Sequence, residues 1–204
     1  MQLLKSILLL SGLLFFSAMG EKADGLKVGD TAVDFNLKNI DGKMVSLNSN
    51  KGAKGYILVF TCNTCPYSQL YEDRIIALHE MYASQGYPVL AIQPNDAVKS
   101  PGDSFENMKV RAAEKGFTFP YVMDDSQETT KTYGATNTPH VYVLNKQSDN
   151  SFRIEYIGAI DNNSRDAASA SKHYVQAAVN SLIAGEEVAT KSTKAIGCTI
   201  KWAD

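Results

Sequence analysis

The sequence of 204 residues has little of what several classes of protein require. It contains three cysteines, six prolines, fourteen glycines and one tryptophan. Three cysteines are too few for a small disulfide-stabilised scaffold, and the glycine and proline contents exclude collagen-like and low-complexity chains. The formal net charge is −2, with no long run of one sign. This argues against a nucleic-acid-binding protein, which would show a basic patch. What remains is a globular chain that is long enough to bury a core.

Residues 1–20 predict a secretory leader. Lys5 is their only charged residue, an apolar run covers residues 7–16, and small residues stand at Ala18 and Gly20. This is the order of regions found in a cleaved signal peptide. The apolar run is short for a membrane span, and no later segment is apolar enough to cross a bilayer. We therefore expect a secreted or periplasmic protein with no span in its mature chain, with an uncleaved anchor as the alternative. Disulfides persist in such a compartment.

The rest of the chain divides into a predicted domain at residues 21–187 and a carboxyl-terminal extension at residues 188–204. Strand and helix signals alternate early, which predicts parallel pairing, and a strand pair joined by a short polar turn follows, which must be antiparallel. The sequence therefore predicts an α/β fold with a mixed β-sheet flanked by α-helices. The predicted elements are a hairpin around Asp41–Gly42, strands at 56–61, 88–92, 140–144 and 153–157, and helices at 66–82, 103–115, 126–133 and 167–184.

The most informative motif is Cys62-Asn63-Thr64-Cys65-Pro66, between a predicted strand and a predicted helix. Cysteines at a helix amino terminus feel the positive end of the helix dipole, which favours thiolate and lowers the thiol pKa. The thiolate is the attacking species in disulfide exchange. Cys62, at the open end, is the predicted nucleophile, and Cys65 is the predicted resolving thiol. The alternative is a purely structural disulfide, although closing so short a loop would stabilise the fold little.

Two further sequence features bear on the same chemistry. Thr138-Pro139 stands at a strand entry, where a cis peptide bond is plausible, although a trans proline at a strand start is the alternative. Cys198 is the odd cysteine, near the carboxyl terminus. It is either a third redox thiol or a small buried residue of a closing strand. The preceding Gly197 would allow two backbones to approach closely.

These motifs together resemble the thioredoxin fold and, more closely, the peroxiredoxin-like (AhpC/TSA-like) branch of redoxins. The resemblance covers most of residues 26–184. It implies a thiol–disulfide oxidoreductase or antioxidant protein in which Thr138 and Pro139, joined by a cis bond, face the thiols and line the substrate groove. The matching residues are Phe35 and Leu37, Asp41-Gly42-Lys43, residues 60–66 and Thr138-Pro139.

The sequence departs from the peroxiredoxin pattern at the reactive cysteine. Peroxiredoxins carry Pro-x-x-x-Thr-x-x-Cys; if Cys65 is the peroxidatic residue, Cys62 replaces the threonine and Leu58 replaces the proline. No arginine is identifiable as the third member of a peroxide site. The strand at 56–61 also lacks the buried carboxylate of thioredoxin itself.

The sequence therefore predicts an exported thiol–disulfide oxidoreductase that uses Cys62 and Cys65. No organic cofactor is expected, because sulfur carries the chemistry. The expected partners are a protein or small-molecule disulfide and an upstream redox protein. Two alternatives remain open, a copper or other soft-metal chaperone that uses Cys62, Cys65 and His140, and a thiol peroxidase with Cys65 as the peroxidatic residue.

Overall fold

The computed structural model describes residues 25–204. Their elements alternate between strands and helices through most of the chain, as the sequence predicts. The strands are β1 (Leu37–Asn39), β2 (Met44–Val45), β3 (Gly55–Phe60), β4 (Val89–Gln93), β5 (Tyr121–Met123), β6 (Asn137–Thr138), β7 (His140–Lys146), β8 (Phe152–Gly158) and β9 (Cys198–Thr199). The helices are α1 (Pro66–Tyr82), α2 (Phe105–Lys115), α3 (Glu128–Tyr133) and α4 (Tyr174–Ile183).

Seven strands form one mixed sheet in the order β2-β1-β5-β4-β3-β7-β8. Strands β3, β4 and β5 pair in parallel, whereas β7 is antiparallel to both β3 and β8. The α/β class and the mixed sheet flanked by helices are therefore confirmed. The hairpin around Asp41–Gly42 is also confirmed, since β1 and β2 pair antiparallel across it. A second, two-stranded sheet joins β6 to β9.

The central strand β3 is buried along its whole length, which explains its continuous apolar sequence. Ile57 and Val59 face the core that contains residues of α1, α2 and α4. Leu58 and Phe60 face the opposite core, which α3, the amino-terminal residues and the carboxyl-terminal segment complete. The sheet is thus covered on both faces, and the carboxyl ends of β3 and β4 point to one edge where the cysteine motif follows.

The structure differs from the prediction at the last helix, which begins at Tyr174 instead of residue 167. The Asn162 side chain accepts from the backbone N–H groups of Ser171 and Lys172, both at 3.0 Å. Asp166 accepts from the N–H of Ala168 at 2.9 Å. Such side-chain bonds to the backbone compete with helical hydrogen bonds, so this segment forms turns.

Two smaller differences have local causes. Strand β5 was not predicted, because three residues are too few to show a periodicity. Helix α2 begins at Phe105 instead of residue 103, because a 3-10 turn covers Pro101–Asp103 and Ser104 caps the helix.

The carboxyl-terminal segment returns across the sheet. The N–H of Ile157 donates to the carbonyl of Lys191, and the N–H of Thr193 donates to the carbonyl of Ile157. Further on, Ile200 is buried in the core and β9 pairs with β6. The boundary at residue 187 remains a prediction, and the leader predicted at residues 1–20 lies outside the described residues. Over residues 25–204, no helix is both long enough and apolar enough to cross a membrane.

The packing of α1 against the sheet gives a matched test on one helix. Leu78 is 2% exposed, whereas Leu70 is 48% exposed. We expect Leu78→Ala to lower the free energy of unfolding by about 2–5 kcal/mol, because the substitution removes buried methyl groups and leaves a cavity. Leu70→Ala should change it by about 0.5 kcal/mol or less. Urea unfolding of both variants measures the difference, and equal losses would contradict the described packing of α1.

Candidate active site

The cysteine motif lies in the loop that joins β3 to α1, as predicted. Cys65 is the residue that caps α1, and Pro66 occupies its first turn. The first helical hydrogen bond runs from the N–H of Gln69 to the carbonyl of Cys65, at 3.0 Å. Proline suits this position, because its missing N–H would have no partner inside the helix. Both Cys62 and Cys65 are buried, with 3% and 4% of their surfaces exposed.

A buried carboxylate, Asp103, holds the two residues between the cysteines. Its Oδ1 accepts from the N–H groups of Asn63 and Thr64, at 2.8 and 3.0 Å. Its Oδ2 accepts from the hydroxyls of Thr64 and Ser100, at 2.9 and 2.7 Å, and from the Asn95 amide at 2.8 Å. Five donors thus satisfy a side chain that is fully buried. The geometry of the loop therefore depends on a residue 40 positions further along the chain.

The second predicted feature, Thr138-Pro139, faces the sulfurs, and its peptide bond is cis. The Thr138 hydroxyl lies 3.2 Å from the Cys62 sulfur, and the Thr138 carbonyl oxygen lies 3.2 Å from the Cys65 sulfur. The Cys62 sulfur also lies 3.9 Å from the hydroxyl of Ser68 on α1. The cis bond and the position opposite the thiols, which the resemblance implies, are both present.

The disulfide of the structure joins Cys65 to Cys198, with their Cα atoms 6.0 Å apart, and Cys62 is free. It is not the Cys62–Cys65 pair expected from the motif. The reason is the course of the carboxyl-terminal segment, because β9 pairs Cys198 directly with Thr138. The Thr138 carbonyl also contacts the Cys65 sulfur. All three cysteines therefore meet at the amino terminus of α1.

The pKa of Cys62 corrects a second expectation. Burial raises the pKa of this thiol, and the negative charge of Asp103 raises it further. Hydrogen bonds from Thr138, from the backbone of Cys65 and from Ser68 act in the opposite direction without cancelling the rise. The predicted lowering by the helix dipole is therefore wrong for Cys62, because desolvation disfavours the charged thiolate.

The soft-metal alternative is not supported by the arrangement of its ligands. His140 is buried, its Nδ1 accepts from the N–H of Thr136 at 3.4 Å, and its ring packs on Tyr142. Cys65 is already bonded to Cys198. Across residues 25–204, no three or more His, Cys, Asp or Glu side chains form a group that could hold a metal ion. Cys62, Cys65 and His140 thus do not assemble the predicted site.

The peroxidase alternative requires a cation beside the reactive sulfur. Arg74 donates to the buried carboxylate of Asp161, at 2.6 Å. Arg111 donates two hydrogen bonds to Glu72, each of 2.7 Å. Both guanidinium groups are thus held by carboxylates, and the charge that acts on Cys62 is the negative one of Asp103. The peroxidase role of Cys65 stays a prediction without support from these contacts.

Sequence reasoning missed two residues of the site. The sequence pattern places Asp103 at a helix start, and its link to the cysteine loop leaves no local signal because its partners in that loop are distant in sequence. Ser68 lies within the predicted helix, six positions after Cys62. It is fully buried, and its hydroxyl faces the Cys62 thiol. Gly197 was singled out correctly for close approach, since a Cβ atom there would collide with the Thr138 carbonyl.

A sequence model of the AhpC/TSA family matches residues 28–149, which is more than half of the chain. The chain belongs to the AhpC/TSA family. Among curated proteins, the thiol–disulfide oxidoreductase ResA of Geobacillus thermodenitrificans is 30% identical over 122 residues. That match covers 58% of this chain and 64% of ResA, so the chain spans just under two thirds of the length of this relative.

Solved structures support the same fold. An uncharacterised conserved protein of Geobacillus kaustophilus superposes with a TM-score of 0.79 at 34% identity, over 86% of this chain and 92% of that one. A thiol–disulfide oxidoreductase of Bacteroides fragilis gives a TM-score of 0.52 at 19% identity, over 63% of this chain and 89% of that one. At this identity the second match shows the fold alone. The AhpC/TSA chain described here has a thioredoxin-like fold, as the sequence predicts.

The first prediction from the site concerns Asp103. In Asp103→Asn, an amide group would face hydrogen-bond donors in place of an acceptor oxygen, and the negative charge near Cys62 would disappear. We expect the free energy of unfolding to fall by about 1–3 kcal/mol, and the pKa of Cys62 to fall. Urea unfolding and the pH midpoint of Cys62 alkylation measure the two effects. Asp96→Asn is the control, since Asp96 caps only an exposed turn. An unchanged midpoint in Asp103→Asn would contradict the electrostatic role.

The second prediction concerns His140, whose pKa is lowered by burial from its ordinary value of 6.5 to about 4. The folded protein keeps this ring neutral, so its stabilising contribution is complete above about pH 6.5 and is lost as pH falls to about 4. The loss should reach about 3 kcal/mol. We expect His140→Gln to show a flatter decline in unfolding free energy over this range. His173→Gln, at an exposed position, is the control, and identical declines in the two variants would refute the shift.

Proposed function

We propose that this protein is an exported thiol–disulfide oxidoreductase that acts through Cys62 and Cys65, with Cys198 as a third redox thiol. The observation that carries the proposal is the meeting of the three cysteines at one helix terminus beneath Thr138, two of them joined and one free. A structural disulfide alone would not require a free thiol in the same loop. The name of the ResA relative supports the same activity.

The reaction follows from the positions of the two motif sulfurs. In the fully reduced protein, the Cys62 thiolate attacks one sulfur of a substrate disulfide, and the other substrate sulfur leaves as a thiolate that takes up a proton. Cys65 then attacks the Cys62 sulfur, loses its own proton, and releases the second substrate thiol. Two electrons pass from the protein to the substrate, and the protein keeps one disulfide. The substrate is a protein or small-molecule disulfide, and an upstream redox protein restores the thiols.

The surroundings of Cys62 favour electron flow towards the substrate. A disulfide is a strong oxidant when the protein stabilises the thiolate that forms on its reduction. Here burial and the negative charge of Asp103 act against the thiolate. We therefore expect a reduction potential nearer the roughly −270 mV of strongly reducing dithiols than the roughly −120 mV of strong oxidants.

Export is part of the proposal and depends on the leader predicted at residues 1–20 and on the disulfide. A disulfide such as Cys65–Cys198 persists in secreted and periplasmic proteins and is rare in the cytosol.

A redox titration tests the function. The purified protein is equilibrated with thiol buffers of defined potential, quenched with an alkylating agent, and mapped by peptide mass. We expect one two-electron couple that includes Cys65. Cys62→Ser and Cys65→Ser should reduce the multiple-turnover reduction of a disulfide substrate to the level of the uncatalysed reaction, whereas Ser126→Ala, in an exposed turn, should match the parent.

Two outcomes would overturn the assignment. If no pair of cysteines changes between the dithiol and the disulfide over the range of buffer potentials, disulfide exchange is not the activity. If Cys62→Ser still reduces hydrogen peroxide while Cys65→Ser does not, Cys65 is a peroxidatic residue and the protein is a thiol peroxidase.

A further inference from the structure

The chain places its own carboxyl-terminal segment beside the reactive sulfurs. Strand β9 pairs antiparallel with β6, with Asn137 opposite Thr199 and Thr138 opposite Cys198. The cysteine of this strand forms a disulfide with Cys65. A disulfide between an active-site sulfur and an extended strand on the adjacent sheet edge has the form of a covalent complex with a peptide partner, held here on Cys65 and not on the attacking Cys62. Here both partners belong to one chain.

The residue before Cys198 lies where there is no room for a side chain. Gly197 lies so close to β6 that a Cβ atom would collide with the carbonyl group of Thr138. The Asn137 side chain also donates to the Gly197 carbonyl, at 2.9 Å. Any side chain other than hydrogen at this point would push the strand away from the edge. The site therefore selects glycine immediately before the bonded cysteine.

We propose that residues 197–202, which we call the latch, occupy the binding position of an extended protein segment in which glycine precedes a reactive cysteine, and that Cys62 opens the latch. The inference rests on the proposed function, since it assigns the partner of the same sulfurs. When the latch leaves, the backbone groups of β6 are free to pair with an incoming strand, and pairing with a sheet edge is a common mode of peptide recognition.

The opening step needs no outside oxidant or reductant. The Cys62 thiol loses its proton, and its thiolate attacks the Cys65 sulfur. A Cys62–Cys65 bond forms, the Cys65–Cys198 bond breaks, and Cys198 leaves as a thiolate that takes up a proton. The number of disulfides is unchanged. The attacking Cys62 sulfur contacts the hydroxyl of Thr138, and the attacked Cys65 sulfur contacts the carbonyl of the same residue. The backbone of Cys65 also hydrogen-bonds to the Cys62 thiol.

Contacts other than the disulfide also hold the latch. The N–H of Lys201 donates to the Asn95 side chain at 2.9 Å, and the Lys201 carbonyl accepts from Gln127 at 2.9 Å. Ile200 is 4% exposed. Breaking the disulfide therefore permits release without forcing it, and a partner segment must compete with the tail for β6. This competition favours partners that form a disulfide with the protein over those that only touch it.

Differential alkylation of the full chain tests the opening step. Protein with one disulfide is incubated at pH 8, treated with iodoacetamide and mapped by peptide mass. We expect label on both Cys62 and Cys198, because the two disulfide isomers exchange. In Cys62→Ser, label on Cys198 should appear only after a reductant is added, and amide hydrogen exchange of residues 197–202 should slow about tenfold or more. Label confined to Cys62 in the parent protein at all times would overturn the step.

Peptide capture tests the partner. The variant Cys62→Ser/Cys198→Ser keeps Cys65 as its single thiol. It is offered a synthetic peptide with the sequence of residues 197–202, whose cysteine is activated as a mixed disulfide with 2-mercaptoethanol. A second peptide carries valine in place of Gly197. We expect the glycine peptide to be captured at least about tenfold faster, and equal rates would overturn the inference.

Reaction with a small aromatic disulfide distinguishes a failure of the latch inference from a failure of the proposed function. If Cys65 reacts with this reagent but does not distinguish the two peptides, the proposed function stands and the latch inference falls. If the parent protein shows no redox couple and Cys65 does not react with the aromatic disulfide, the proposed function itself has failed.

Discussion

Thr138 is the residue on which the arrangement of the site depends. Its hydroxyl contacts the Cys62 sulfur, its carbonyl contacts the Cys65 sulfur, and its backbone pairs with Cys198. A cis peptide bond joins it to Pro139 at the entry to β7, and Gly197 can approach it only because glycine has no side chain. A single fully buried threonine therefore fixes the relative positions of all three cysteines. A change in its backbone would move every sulfur at once.

The electrostatics of the site follow from how the loop is fixed. The described contacts of Asp103 are hydrogen bonds from neutral backbone and side-chain donors, which stabilise the carboxylate without a neighbouring positive charge. The carboxylate therefore keeps a negative potential near Cys62. Burial and this potential oppose the dipole of α1, and the thiol remains protonated over a wider pH range than at an exposed helix terminus. The loop gains a defined geometry, and Cys62 becomes a slower nucleophile at neutral pH.

The sequence allowed the fold and the core of the site to be predicted, because these depend on local patterns. The buried run of β3, the motif at the start of α1 and the proline before β7 are each visible over a few residues. The pairing of Cys65 with Cys198 could not be predicted, because disulfide connectivity depends on the path of the whole chain. The same holds for Asp103, whose partners in the cysteine loop are about 40 positions away, and for the start of α4, which the side chain of Asn162 delays.

The carboxyl-terminal segment also carries Trp202, the single tryptophan of the chain. This residue is 36% exposed, and its indole ring lies beneath the ammonium group of Lys131, with 5.9 Å between the nitrogen and the ring centroid. The ring is four positions beyond Cys198, so any displacement of that strand alters its surroundings. An indole that leaves a neighbouring cation and enters water changes its emission. The protein therefore carries its intrinsic indole fluorophore in the segment that the Cys65–Cys198 disulfide ties to the site.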